Sequence, residues 1–225
     1  MANQLDLEEQ EQLDQLKHFW KQYGNAITWA LIIVLTLFAG WNGYRLWQNR
    51  QSTQAAALFD EVERAIESGD ATKLDRVLSE MKERFSSSAY AGQAALLVAA
   101  RYAQLDKRDS AKAALSWVSE TSTDAGYQAL ARLRLAGLLI DGKELDAALS
   151  VLGGVFPAEF EGLVADRKGD VLKLKGDAGL ALDQYKKAYR LLTPMDEYRR
   201  LIEVKLGALG VDVQMLEQAT QVAGK

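Results

Sequence analysis

Residues 169–188, GDVLKLKGDAGLALDQYKKA, combine two apolar helical patterns with a Gly-Asp turn at Gly176. Small residues stand at Gly169 and Ala181, and the aromatic Tyr185 follows Ala181 by four positions. Two helices that cross closely need small residues at the crossing and a large side chain to fill the groove beside it. The stretch therefore predicts a helix, a turn and a second helix packed against the first.

The same pattern recurs upstream with a period of 34 residues. Ala113, Ala147 and Ala181 are equally spaced, and a turn precedes each alanine by five residues. A fixed period of this length is typical of stacked helix pairs, in which each pair buries its apolar face on its neighbours. Residues 55–90 read as a degenerate leading pair, and residues 198–209 read as a closing helix.

The composition of the 225-residue chain supports an all-α fold. Good helix formers fill every segment, and the sequence contains only two prolines. A content of 48% apolar and 26% charged residues is ordinary for a folded chain. The net charge is -4 and the basic residues are dispersed. A nucleic-acid partner is therefore not expected, because phosphate backbones are bound by a positive stripe.

The chain lacks the usual parts of an active site. It contains no cysteine and one histidine, His18, so thiolate nucleophiles, sulfur-ligated zinc and two-histidine metal sites cannot be built. Asp166 and Asp170 lie four apart on one predicted helical face and read as a solvated stripe. His18 itself reads as an interfacial residue. We expect a protein that is not an enzyme and has no cofactor or metal.

A run of 23 residues without formal charge, residues 22–44, lies between Lys21 and Arg45. A helix of about 20 residues crosses the hydrocarbon layer of a bilayer. Tryptophans cluster towards the two ends of the run, as expected at the headgroup levels. A buried core helix would need a large surrounding domain, and a signal peptide would need a short basic start and a shorter apolar stretch. The run predicts an uncleaved membrane anchor.

Four regions are expected along the chain. They are an amphipathic helix over residues 1–24, the membrane anchor over 25–47, the helical repeat domain over 48–209 and a tail over 210–225. The first region reads either as a helix lying on the membrane or a partner, or as a frayed acidic extension.

Charge does not decide the orientation of the anchor, because two lysines before the run are matched by two arginines after it. Ala39 and Gly43 lie four apart on one face of the anchor and would let another membrane helix approach closely. This pair is the predicted contact between membrane helices.

The order of parts resembles the YfgM family of bacterial inner-membrane proteins, and the copy at 169–188 resembles the tetratricopeptide repeat. The resemblance is carried by EQLDQLKHFWKQYG at 11–24, LRLA at 133–136 and VADRKGDVL at 164–172. It covers essentially the whole chain. It implies an all-α protein with one N-terminal transmembrane helix, followed by a tetratricopeptide-like solenoid.

The resemblance also implies a function. It implies a non-enzymatic ancillary subunit of the SecYEG translocon in the inner membrane, with the amino terminus in the cytoplasm and the repeats in the periplasm. The implied partners are the membrane-anchored chaperone PpiD, periplasmic chaperones and emerging secretory chains. An alternative is a membrane-anchored adaptor that binds one specific envelope or signalling protein.

In arrays of helix pairs, the first helices line the surface that holds a peptide or partner. The resemblance to the tetratricopeptide repeat, with that family's frame transferred to the whole array, implies a partner-binding groove of eight residues: Val98, Tyr102, Leu105, Arg132, Leu139, Asp166, Asp170 and Lys173. The apolar strip among them reads either as a surface for extended segments or as packing onto a neighbouring helix.

Overall fold

The structure is a computed structural model that describes residues 7–193 and 197–213, with side chains from residue 12 onward. Within these ranges every regular element is helical, which confirms the all-α prediction. The α-helices are α1 Leu7–Ser68, α2 Ala71–Phe85, α3 Ala89–Gln104, α4 Arg108–Thr121, α5 Ala125–Asp141, α6 Leu145–Leu152, α7 Glu161–Leu174, α8 Ala178–Leu191 and α9 Glu197–Gly207. A short 3-10 helix, Ala158–Phe160, precedes α7.

The chain divides into two compact units, Met1–Thr53 and Gln54–Lys225. In the first unit, the amphipathic start and the uncharged run form one uninterrupted stretch of α1. In the second unit, the remaining turns of α1 bury Ala55 and Val62 in a hydrophobic cluster shared with α2 and α3. The predicted tail lies outside the described residues from position 214 onward.

The second unit is a stack of helix pairs. From α2 onward, successive α-helices pack against each other, and α3, α5 and α7 also contact one another in that order. Side-chain caps begin several helices: the carboxylates of Asp70 and Asp124 accept hydrogen bonds from Lys73 N and Tyr127 N, each at 2.9 Å. These caps satisfy backbone donors that the first turn of a helix leaves unpaired.

The turns inside the last three pairs share one geometry. In each turn a backbone N–H donates to the carbonyl five residues earlier, in the bonds Lys107 to Tyr102, Glu144 to Leu139 and Asp177 to Leu172. The residue before each donor has positive φ: Asp106, Lys143 and Gly176. These three residues are 37 and then 33 positions apart, so the predicted constant period of 34 is wrong in detail.

The unequal spacing changes which alanines are equivalent. The buried alanine is the fourth residue of each second helix, namely Ala111, Ala148 and Ala181. Ala113 and Ala147, which the sequence period had matched to Ala181, are exposed. One residue turns a helix by about 100°. A register error of one or two positions therefore moves a side chain from the core to the surface.

The close crossing predicted for the last pair is confirmed. A Cβ atom built on Gly169 of α7 would lie 2.6 Å from Cε1 of Tyr185, whose ring is fully buried. Ala99 and Ala136 stand at the same place relative to the turns of the two preceding pairs, and both are buried. A small residue at this position is therefore a common feature of the three pairs.

We expect Gly169→Ala to lower the free energy of unfolding by about 2 kcal/mol, because the Tyr185 ring must move to admit the methyl group. The measurement is urea unfolding in detergent micelles, followed by circular dichroism. Gly179→Ala is the matched control, since nothing lies within 4 Å of its Cβ position. Equal stability of the two variants would contradict the close crossing.

Candidate membrane anchor and partner-binding surface

The uncharged run of α1 presents its apolar side chains outward. Trp29, Phe38 and Trp41 are each at least 60% exposed. The helix portion Gln12–Ser68 is long and apolar enough to cross a membrane. A core helix of a soluble domain would bury these side chains within its own unit, and here they are exposed. The arrangement fits a helix whose surroundings are lipid.

The polar side chains of the run are satisfied by their own helix. The hydroxyls of Thr28 and Thr36 donate to the carbonyls of Gly24 and Ile32, both at 2.7 Å, and Asn42 Nδ2 donates to Phe38 O at 3.0 Å. In hydrocarbon there is no water to accept these bonds, so internal pairing removes the main cost of carrying polar groups.

The predicted membrane-helix contact at Ala39 and Gly43 lies on the exposed surface of α1. The Cβ position of Gly43 has no atom within 4 Å. This opening leaves room for close approach by another helix, and the contact stays a prediction.

The predicted partner-binding groove needs correction in its first two pairs. Val98, Tyr102 and Leu139 are buried in the core, so their side chains are not on an accessible surface. Leu105 is 42% exposed, in the turn after α3. The physical reason is the register shift: Tyr102, Leu139 and Leu172 occupy equivalent places, whereas the transferred frame had matched Tyr102 to Asp170.

Arg132 has a structural role that the sequence did not indicate. Its guanidinium donates to Val155 O at 2.6 Å and to Ser119 O at 3.1 Å. It also lies 5.8 Å from the ring centroid of Phe156. Arg132 thereby joins the end of α4 to the loop that follows α6. Because its donors are used inside the domain, Arg132 is not a residue of the partner-binding surface.

The accessible surface of the first helices is formed by other residues. Between α3 and α5 lies an open groove of about 230 Å³, which we call the Ala-Gly groove. Its lining residues are Ala99, Ala100, Ala103, Leu115, Arg134, Gly137, Leu138 and Asp141. The sequence analysis did not predict these residues, because the constant period of 34 assigned other positions of α3 and α5 to the accessible surface.

A second open groove, of about 490 Å³, lies further along the stack. It is lined by Ile140, Asp170, Lys173, Leu174, Tyr185 and Lys205. Asp170 and Lys173 belong to the predicted set, so the structure brings these two together at one surface. The third predicted residue of this pair, Asp166, is fully buried, so the predicted groove needs correction here too.

Asp166 and Asp170 are not the solvated stripe that their spacing suggested. Asp166 is 0% exposed, and Lys205 of α9 bridges the two carboxylates, with Nζ 2.6 Å from Asp166 Oδ1 and 2.7 Å from Asp170 Oδ1. The hydroxyl of Tyr198 donates to Asp166 Oδ2 at 2.6 Å, and that of Tyr185 donates to Asp170 Oδ1 at 2.9 Å. We call these five residues the closing-helix cluster.

The hydroxyls of the two tyrosines in the closing-helix cluster act as hydrogen-bond donors. Burial raises the pKa of the Tyr185 and Tyr198 hydroxyls above the ordinary tyrosine value, and the hydrogen bond from each hydroxyl to its carboxylate raises the pKa further. Both hydroxyls therefore keep their protons at neutral pH. The acids lie four apart on α7, and Tyr198 and Lys205 lie seven apart on α9. No sequence signal within either helix indicates that these residues pair.

The closing-helix cluster has a structural role. Its charges and hydroxyls satisfy one another, and among the side chains that the structure describes no group of three His, Asp or Glu residues is placed to hold a metal ion. It fixes α9 to α7, next to a small hydrophobic cluster that includes Ile202 and Leu206.

Comparison with known proteins agrees with this architecture. The chain matches the family described as tetratricopeptide repeat-like domain over residues 17–211. A curated protein named Ancillary SecYEG translocon subunit, from Neisseria gonorrhoeae, is 33% identical over 207 residues, covering 90% of this chain and 98% of that protein. The chain belongs to the YfgM family.

Two further members of the YfgM family carry the same name. The Haemophilus influenzae protein is 27% identical, covering 90% of this chain and 98% of its own length. The Escherichia coli protein is 26% identical, covering 75% of this chain and 81% of its own length. The match over residues 17–211 begins before the uncharged run and extends past α9, so the family relationship includes both the anchor and the stack.

We expect Lys205→Met to destabilise the protein by about 3 kcal/mol, because it leaves the buried Asp166 charge without its cation. Thermal and urea unfolding of the purified protein would measure the loss. Lys187→Met is the matched control: Lys187 and Glu161 form an exposed pair at 3.5 Å, for which we expect a change below about 1 kcal/mol. A similar effect for both variants would show that the buried pairing does not hold α9.

Proposed function

We propose that this chain is an ancillary subunit of the SecYEG translocon in the bacterial inner membrane. The observation that carries the proposal is the alignment with 98% of a relative that bears this name, in a chain whose uncharged helix run is exposed. The anchor would hold the repeat domain beside the translocon. Tethering raises the effective concentration of a binding module near its partner without any new contact.

The proposed orientation has the amino terminus in the cytoplasm and the stack in the periplasm. It rests on the resemblance to the YfgM family, because the charges flanking the anchor are balanced. In this orientation the stack lies on the side of the membrane on which secretory chains emerge.

The proposed partners of that surface are PpiD, periplasmic chaperones and emerging secretory chains. Leu97, Ala100 and Leu174 are exposed on the first helices, beside charged side chains such as Arg134 and Lys173. A surface that mixes small apolar patches with charges suits binding of polypeptide without covalent chemistry. The role is non-catalytic, in keeping with a sequence that has one histidine and no cysteine.

Single cysteines test the orientation without background, because the sequence contains none. We expect Ser150→Cys, exposed on α6, to react with a membrane-impermeant maleimide in intact spheroplasts. Gln15→Cys, exposed before the uncharged run, should react only after lysis. The reverse labelling pattern would refute the orientation and with it the periplasmic role.

Photo-crosslinking in whole cells tests the partners. A photoreactive residue at Leu97, Ala100 or Leu174 should capture secretory chains, PpiD or chaperones, whereas one at Ala113 or Asp183, exposed on second helices, should capture them far less. A residue at Gly43 should capture a translocon subunit. Capture of one dominant folded protein would favour the adaptor function, and capture of cytosolic proteins alone would exclude the translocon role.

A further inference from the structure

Gly137 is a glycine for which the domain itself gives no packing reason. It lies inside α5, where glycine lowers helix stability relative to alanine. A Cβ atom on Gly137 would have no atom within 4 Å, whereas a Cβ on Gly169 would collide with Tyr185. The missing side chain therefore leaves open space in the Ala-Gly groove instead of allowing two helices to approach.

Two charges lie at the ends of this opening. Arg134 and Asp141 share the face of α5 that carries Gly137, and both line the Ala-Gly groove. Arg134 donates one long hydrogen bond, 3.4 Å, to Leu96 O. Among the described residues, no carboxylate forms an ion pair with Arg134 and no cation forms one with Asp141.

The floor between the two charges is apolar and small. Ala100 and Ala103 of α3 face α5 across the groove, and the buried Leu115 of α4 lies beneath. The volume of about 230 Å³ is below the range of drug-sized ligand pockets but admits one apolar side chain. Charge complementarity then requires an acid near Arg134 and a base near Asp141.

The spacing of the two charges determines which backbone conformation allows a bound segment to reach both of them. Arg134 and Asp141 are seven residues apart, about 10 Å along a helix. In an extended chain alternate side chains share a face, so residues i, i+2 and i+4 can all face the groove, and residues i and i+4 are about 13 Å apart. The difference of about 3 Å is within the reach of the flexible arginine and lysine side chains. The open position over Gly137 allows the backbone of such a chain to come close.

We propose that the Ala-Gly groove binds an extended polypeptide segment, with an acidic residue at Arg134, a basic residue four positions away at Asp141, and an apolar residue midway between them. The inference rests on the proposed function, in which the repeat domain holds other polypeptides. It adds the chemistry of the segment that is held.

The test uses the full-length protein in detergent micelles and three fluorescein-labelled nine-residue peptides. The first carries aspartate and lysine four positions apart around a central leucine. The second replaces both charges by asparagine and glutamine, and the third has aspartate at both charged positions. Fluorescence anisotropy should show the first peptide binding about tenfold more tightly than the other two peptides, since two rim pairs contribute modestly each.

Three variants decide the mechanism. Arg134→Asp should remove the preference for the first peptide, and the double variant Arg134→Asp with Asp141→Arg should restore it, because the segment can then bind in the reverse direction. Gly137→Leu should abolish binding while its Tm stays at or above that of the wild type, because the added side chain fills open space. Gly179→Leu is the matched control: its Cβ position on α8 is also open, and binding should be unchanged.

Absence of peptide binding, equal affinity for the three peptides, or wild-type affinity in Gly137→Leu overturns the proposal. Failure of this proposal is distinguishable from failure of the translocon role. If only the groove inference is wrong, the membrane position Gly43 still crosslinks to the translocon. If only the translocon role is wrong, that crosslink is lost while the preference for the first peptide remains.

Discussion

The contact between Gly169 and the ring of Tyr185 determines how the end of the stack is built. Because Gly169 has no side chain, α7 and α8 come close enough to bury the tyrosine ring completely. The hydroxyl of the buried ring then reaches Asp170, and Lys205 joins Asp170 to the buried Asp166. Each step depends on the one before, so the position of α9 follows from one close helix crossing.

The two units provide hydrogen-bond partners for their polar side chains in different ways. In the anchor, hydroxyl and amide side chains bond to carbonyls one turn back in the same helix. In the stack, polar groups bond across helices, as Arg132 does to two carbonyls outside α5. Lipid offers no hydrogen-bond partners, so the polar side chains of the anchor must bond within their own helix. In a packed array, polar side chains can bond to neighbouring helices, and this pairing makes the assembly more specific.

The two grooves along the first helices differ because the last pair must end the array. The second groove contains Lys205, contributed by α9, whose charge is already paired with Asp170. The Ala-Gly groove is bounded by α3 and α5, and its rim charges have no ion-pair partners within the described residues. The terminal pair therefore uses its polar groups to close the stack.

The sequence by itself determined the helical class, the exposed uncharged run and the last helix pair, because these depend on local composition and on periodicity within about 20 residues. It did not determine which residues of α3 and α5 are accessible. Turns at Asp106, Lys143 and Gly176 are unequally spaced, and a shift of one residue rotates a helix face by about 100°.

Only the tertiary structure therefore placed Val98 and Tyr102 in the core and left open space over the half-buried Gly137. Only it joined Asp166 to Lys205, 39 residues away, because an ion pair between helices depends on packing that local sequence does not specify.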